Sequence, residues 1–167
     1  AQALITQFNY EELGMTVWLI KPSTDTRDGA DIIRSRIGLQ RSAQIITPAQ
    51  NIAEEYRAAG KCDVIIADEA QFFTPEQIDQ LREIVDDEDI PVLCFGLRTD
   101  FLTHCFPGSK RLLELADSIT EIKTVCACGH KATVNARIGE DGRIVTQGDQ
   151  VFLGGNDSYV AMCHKCW

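Results

Sequence analysis

The chain has 167 residues, 44% apolar and 25% charged, a globular balance that suits one core domain with a small appendage. No apolar run approaches the roughly 18 residues that span a bilayer, and the first residues do not read as a signal peptide, so no membrane partner is expected. A formal net charge of −9 argues against nucleic-acid binding, which needs a basic surface.

Residues 1 to 13 read as a helix, with Leu4, Ile5, Phe8 and the pair Glu12–Leu13 marking one face and Gly14 the stop. Nothing caps its start, which leads us to expect upstream sequence before Ala1. Thr16 to Ile20 is a short strand closed by Pro22, and Asp25, Thr26, Arg27, Asp28 and Gly29 form a polar loop. Pro48 to Ala59 is a second helix, ending at Gly60. Val64 to Ala67 is a wholly apolar strand. Thr74, Pro75 and Gln77 then open a third helix with a cap, a first-turn proline and a capping box. Pro91 to Phe95 is a further apolar strand ended by Gly96, Lys110 to Leu115 is helical, and Ile119 to Val125 returns to strand. Strands alternating with helices imply crossover units around a buried parallel sheet. Beyond Cys126 the pattern changes to a β-hairpin, Val134 to Ile138 and Arg143 to Val145, joined through Gly139 and Gly142. The expected domains are an α/β core over 1–124 and a small β domain over 125–167.

Asp68 and Glu69 follow the apolar strand directly. Ligands of an open parallel sheet gather at the carboxyl ends of its strands. Two adjacent carboxylates there can divide the labour. Asp68 can hold Mg²⁺ and its water shell, while Glu69 accepts a proton from an attacking hydroxyl. The plainer reading is a solvated strand end or a helix cap, but Thr74 already serves as the cap. Gln71, Phe72 and Phe73 add an amide and two rings, which suits a flat base. A phosphate site also needs a cradle. The G-x-x-x-x-G-K-[ST] loop is absent: Gly60-Lys61 has Glu55 in place of the first glycine and Cys62 in place of the hydroxyl. Such a loop runs into a helix, so the uncapped first helix leads us to expect roughly fifteen to twenty preceding residues carrying a strand and that loop.

Four of the seven cysteines form two pairs, Cys126 with Cys128 and Cys163 with Cys166. An odd number without a secretory signal favours reduced thiols in a cytoplasmic protein over a disulfide framework. Two tight turns can close four thiolates around Zn²⁺ and leave no open position, which makes the ion structural. His130 or His164 could replace one ligand, and a redox pair is the other reading.

Together these features resemble the thymidine kinases of bacteria and animal cytosol. The resemblance spans essentially the whole chain. It is carried by Asp25-Thr26-Arg27, Ser35-Arg36-Ile37-Gly38, Asp68-Glu69-Ala70-Gln71-Phe72-Phe73 and Gly96-Leu97-Arg98-Thr99-Asp100-Phe101, with the cysteine pairs and Gly154-Gly155-Asn156-Asp157-Ser158-Tyr159. It implies an α/β fold with a parallel-sheet, P-loop NTPase-like (RecA-like) core and a zinc-ribbon β domain. It also implies transfer of the γ-phosphoryl of ATP to the 5′-hydroxyl of thymidine, giving dTMP for pyrimidine salvage. Glu69 is then the base. Asp25, Thr26, Arg27, Asp68, Glu69, Ala70 and Gln71 lie toward ATP and Mg²⁺. Phe72, Leu97, Phe101 and Phe106 wall the thymine. A loop between the cysteine pairs, the lasso, closes over the base with Gln150, Val151, Phe152, Leu153 and Gly154, and Tyr159 packs on or bonds to the nucleoside. The resemblance further implies a homotetramer inhibited by dTTP. Taken singly, Phe72, Phe101, Phe106 and Tyr159 also have a plain packing reading, and Arg27 an ion-pair one.

Three other functions fit parts of this pattern. A zinc-ribbon interaction module with a degenerate nucleotide domain would bind zinc without turnover. An ATPase of the recombinase kind would hydrolyse ATP without a nucleoside. A kinase of a related deoxynucleoside would differ only in the base it accepts.

Overall fold

The structure, a computed structural model, describes residues 2–23, 32–34, 40–151 and 158–167, without the side chains of 32–34, 40 and 41. The polar loop at Asp25 and the Ser35 to Gly38 stretch lie outside the described residues. The chain divides into two compact units, Ala1–Leu97 with Pro107–Leu115, and Arg98–Phe106 with Ala116–Trp167.

The first unit contains helix α1 (Gln2–Glu12), strands β1 (Val17–Pro22), β2 (Ile32–Arg34), β3 (Gln40–Ser42) and β4 (Gln44–Ile46), helix α2 (Ile52–Ala59), strand β5 (Val64–Ala67), a 3₁₀ turn (Ala70–Phe72), helix α3 (Pro75–Glu88), strand β6 (Val92–Cys94) and helix α4 (Pro107–Leu115). Four strands make the expected parallel sheet in the order β4-β1-β5-β6. β2 and β3 pair separately as an antiparallel ribbon. The sheet is covered on both faces, which is why its central strand β5 reads as an unbroken apolar run. Successive residues of β5 serve opposite faces. Ile65 and Ala67 join Ile20, Ile52, Tyr56, Phe73, Ile78 and Leu81 under α2 and α3. Val64 and Ile66 join Leu4 and Leu19 under α1.

Three expectations for this unit need correction. The buried face of α1 is Ala3, Leu4 and Gln7, whereas Ile5, Phe8 and Leu13 are exposed. Ala3, Leu4 and Gln7 recur at helical spacing and bring a small and a polar residue inward, so hydrophobicity alone selected the wrong stripe. The second helix starts at Ile52 and not at Pro48, because Asn51 caps it by accepting the Glu54 N–H at 3.1 Å. Thr47 to Gln50 form a turn ahead of it, closed by the Gln50 N–H on the Thr47 carbonyl. β4 went unread because three residues are too few to show a period.

The cap on α3 is as expected. The Thr74 hydroxyl accepts from the Gln77 N–H, the Gln77 side chain accepts from the Thr74 N–H, and Pro75 occupies the first turn. Gln77 also donates to the carbonyls of Thr47 and Gln50, so the box ties α3 to the approach of α2. Thr74→Ala is therefore expected to cost about 1 kcal/mol, read as a lower urea midpoint at unchanged slope.

The second unit contains β7 (Thr124–Val125), β8 (Lys131–Ala132), β9 (Val134–Ile138) and β10 (Ser158–Met162). Strand pairing in the expected 119–125 segment begins only at Thr124. Ile119 and Ile122 are exposed, and an apolar run that buries nothing has no sheet to join. The hairpin expectation holds only in part. β9 pairs antiparallel with β10, from Val134 opposite Met162 to Ile138 opposite Ser158. The 143–145 segment supplies only a bridge between Ile138 and Ile144 and two flanking hydrogen bonds around a turn with Gly142 at φ +77°.

Candidate active site and metal centre

The acidic residues are presented by a turn held from several sides. The Asp68 N–H donates to the Ile20 carbonyl at 3.0 Å, extending the pairing of β5 with β1 by one residue. The chain then reverses. Glu69 has φ +51° and ψ +39°, a left-handed backbone that a residue with a Cβ seldom takes, and its N–H donates to Asp68 Oδ1 at 3.0 Å. The Ala70 N–H donates to the Phe95 carbonyl at 2.9 Å, which fastens the start of the 3₁₀ turn to the end of β6.

Gln71 connects the rest. Its side chain is buried, with 2% exposure. Nε2 donates to Glu69 Oε2 at 2.6 Å, and Oε1 accepts the Leu97 N–H at 3.2 Å. The amide orientation follows from these partners, since a carboxylate can only accept and a backbone N–H can only donate. The amide reaches Leu97 because residue 96 is glycine: a Cβ there would lie 2.5 Å from Gln71 Oε1. Gly108, at the start of α4, meets the same turn from another side. A Cβ on Gly108 would come within 2.5 Å of the Phe73 carbonyl and 2.9 Å of the Gln71 carbonyl. Ser109 follows, its hydroxyl donating to the Leu97 carbonyl. The result is a half-buried carboxylate pair whose second member has a fixed hydrogen-bond donor. Of the two rings that follow, Phe73 is buried in the core under α2 and α3, while Phe72 is half-buried. Phe73 is thus a packing residue.

In the second unit, Asp100 organises the 98–106 loop. Its Oδ1 accepts the N–H groups of Leu102 and His104, and its Oδ2 accepts from Gln150 Nε2 at 2.9 Å. Phe101 and Phe106 are buried, and Val151 is half-buried. Tyr159 is partly exposed on β10, and its hydroxyl accepts from Arg137 Nε at 2.9 Å. Leu97, in the first unit, is exposed. Asp25, Thr26, Arg27, Phe152, Leu153 and Gly154 lie outside the described residues.

Sequence reasoning passed over Asp100 and Arg137. Asp100 stood inside a quoted motif, but its part in the loop depends on contacts with residue 150. Arg137 had one available signal. It occupies alternate register with Asn135 in a strand that otherwise alternates small and branched apolar residues.

The four paired cysteines converge. Their sulfur atoms all lie within 4.8 Å of one another, and Cys128 and Cys163 are 3.6 Å apart. Four thiolates around a tetrahedral ion at about 2.3 Å stand about 3.8 Å apart, so the cluster can hold such an ion. Local folding explains the convergence. Gly129, at φ +89°, lets its N–H reach the Cys126 carbonyl and tightens the β7–β8 turn. The Cys166 and Trp167 N–H groups both fold back on the Cys163 carbonyl. His130 Nδ1 is 3.3 Å from the Cys128 sulfur, beside the set of four sulfurs.

The electrostatics are those of crowded thiols facing backbone donors. N–H groups of Cys128 and then Cys163 draw the Cys126 thiol down to about 6. The Cys166 N–H lowers Cys163. Cys166 is pushed up to about 12, chiefly by the neighbouring Cys128 sulfur. Negative charge on all four sulfurs therefore calls for a cation among them. Cys94, in the first unit, is different: it is half-buried against the core, and desolvation pushes its thiol up to about 12. No helix among the described residues is long and apolar enough to cross a membrane.

Comparison with known proteins completes the description. The sequence model of the family described as "Thymidine kinase" matches residues 1–167. The chain is 46% identical over 162 residues to a protein of Ruegeria pomeroyi named thymidine kinase, covering 95% of this chain and 82% of that one. It is 46% identical over 170 residues to the thymidine kinase of Enterobacteria phage T4, covering 100% and 88%. It is 48% identical over 164 residues to the thymidine kinase of Legionella pneumophila strain Lens, covering 96% and 78%.

Proposed function

The chain belongs to the thymidine kinase family, and from that premise we propose that it transfers the γ-phosphoryl of ATP to the 5′-hydroxyl of thymidine. The observation that carries the reading is the acidic turn after β5. There the Gln71 amide donates to Oε2 of the Glu69 carboxylate and orients it. A carboxylate so aligned can take the proton of the attacking hydroxyl as the phosphoryl group passes to it.

Asp68 presents hard oxygen donors at the carboxyl end of a parallel strand, as Mg²⁺ requires, and is the residue that would hold it. With ATP bound, the ion would neutralise charge on the phosphates. Asp25, Thr26 and Arg27 are assigned to the phosphate side with it. Ala70 and Gln71 were expected there too. The buried amide of Gln71, already joined to Glu69 and Leu97, favours a holding role over direct ligation.

Recognition of the base is assigned to Phe72 and Leu97 in the first unit. In the second it is assigned to Phe101, Phe106, Tyr159 and the segment Gln150, Val151, Phe152, Leu153 and Gly154. Apolar walls accept the thymine methyl, while backbone groups read its polar edge. Closure of that segment would keep water from the phosphoryl group. The cysteine cluster is assigned to a structural Zn²⁺, which would cross-link the turns after β7 and β10 and complete the second unit. A homotetramer, inhibition by dTTP and a cytoplasmic location are proposed on family grounds. Seven cysteines without a disulfide among them favour a reducing compartment.

The test is nucleoside-dependent ATP consumption by the full-length protein, with the phosphorylated product identified. Thymidine should be used best. Deoxyuridine, lacking one methyl, should follow within about 10- to 200-fold in kcat/KM. Deoxycytidine should be rejected more strongly, because its exchanged donor and acceptor leave the site's polar groups unpaired. ATP hydrolysis of equal rate without any nucleoside would overturn the proposal.

A further inference from the structure

Arg137 is 1% exposed, a guanidinium almost wholly removed from water within the second unit. Such a group is tolerated where its donors are met and its charge faces a polarisable surface. Both conditions hold. Its Cζ lies 3.7 Å from the centroid of the Phe101 ring and 5.5 Å from that of Tyr159. Nε donates to the Tyr159 hydroxyl at 2.9 Å, and Nη2 to the Asp149 carbonyl at 2.9 Å. Gly148, at φ +137°, completes the arrangement. A Cβ there would stand 3.3 Å from Nη1 and 3.8 Å from the tip of the Phe101 ring, so glycine lets the chain descend over the stack and deliver the next carbonyl.

One side chain thus joins the Phe101 loop, β9, β10 and the 148–150 segment. We infer that Arg137 is a positioning residue for nucleoside recognition, an inference that rests on the base-binding roles proposed for Phe101 and Tyr159. It fixes the plane of the Phe101 ring by stacking. It also sets the direction of the Tyr159 hydroxyl. A guanidinium can only donate, so the tyrosine oxygen must accept, and its own proton is left to point to an acceptor on the ligand. Lysine cannot reproduce this, having neither the planar face nor the fork of donors.

The experiment compares Arg137→Lys, Tyr159→Phe, Gly148→Ala and Phe101→Leu in the full-length protein. Thymidine KM, kcat, zinc content and melting temperature are measured for each. Arg137→Lys should raise the thymidine KM at least about tenfold with kcat changed less than about threefold, as for a displaced binding group. Tyr159→Phe should raise KM too, and combining it with Arg137→Lys should add little, because both remove the same oriented hydroxyl. Gly148→Ala changes an exposed residue and keeps the arginine, so it carries the test if the arginine variants do not fold; it should also raise KM. A lower melting temperature with unaltered thymidine KM in Arg137→Lys and Gly148→Ala would overturn the inference and leave a purely structural arginine. Phe101→Leu separates the two levels. If it raises KM while Arg137→Lys does not, the inference falls and the base-binding reading stands. If it leaves KM unchanged, both fall.

Discussion

Glu69→Gln is expected to lower kcat about a hundred- to ten-thousand-fold, the range of a lost general base, with thymidine KM and melting temperature close to those of the parent. The substitution is nearly isosteric and keeps the contact with Gln71. The Gln71 amide that donates to the Glu69 carboxylate at 2.6 Å can donate equally to an amide oxygen. The backbone bonds that hold the turn, from Asp68 to Ile20 and from Ala70 to Phe95, do not involve the side chain. The left-handed backbone at residue 69 is no harder for glutamine than for glutamate. What is lost is the capacity to accept a proton. Full turnover by the variant would remove Glu69 from the base role and shift attention to Asp68.

Removal of the metal should have the second large effect, on structure before chemistry. The natural protein is expected to carry one zinc per chain, and Cys163→Ala or a strong chelator should remove it. Among the described residues the second unit has only four short strands, two of them two residues long. The Cys126 and Cys163 turns are pinned at one cluster. Structural zinc in peptides contributes about 10–16 kcal/mol of binding free energy, which is folding free energy where no preformed site exists. The zinc-free protein should therefore lose near-ultraviolet circular dichroism from Tyr159 and Trp167 and lose thymidine binding. Restoring zinc at neutral pH should return both. Cys166 is held protonated by its neighbours when no cation is present. Metal entry must therefore expel a proton, and zinc retention should fall as the pH is lowered. Unchanged thymidine binding in a zinc-free protein would show that the cluster is not needed for the lobe.

The sequence was most readable where a physical requirement is local. Val64 to Ala67 is apolar throughout because both sheet faces are covered. Thr74, Pro75 and Gln77 satisfy helix-end N–H groups within four residues. The cysteine pairs announce by their spacing a cluster that can hold a metal. It was least readable where the requirement is distant. β9 pairs with β10 across some twenty residues, and nothing near Arg143 shows that the intervening turn would leave that segment with a single bridge. Phe72 and Phe73 are the same residue type side by side, and only the 3₁₀ turn decides which enters the core. Arg137 was passed over because its acceptors come from residues 149 and 159. On α1, Gln7 is buried through a bond to Glu11 as well as by packing, so a hydrophobicity pattern could not find that face.

The single amide of Gln71 serves both the Glu69 carboxylate and the Leu97 N–H. These are not independent settings of the machine. A change that moves the backbone at Gly96 or Leu97, made to reshape what the first unit presents to a base, also pulls on the donor that stabilises charge on Glu69. Its consequence appears in turnover as well as in substrate choice. Weaker donation loosens the alignment of the Glu69 carboxylate, and a small misplacement of a reacting group lowers kcat. Redesign of nucleoside preference at this turn therefore carries a hidden variable, and variants sorted by rate alone will be ranked partly by how well they still hold that carboxylate.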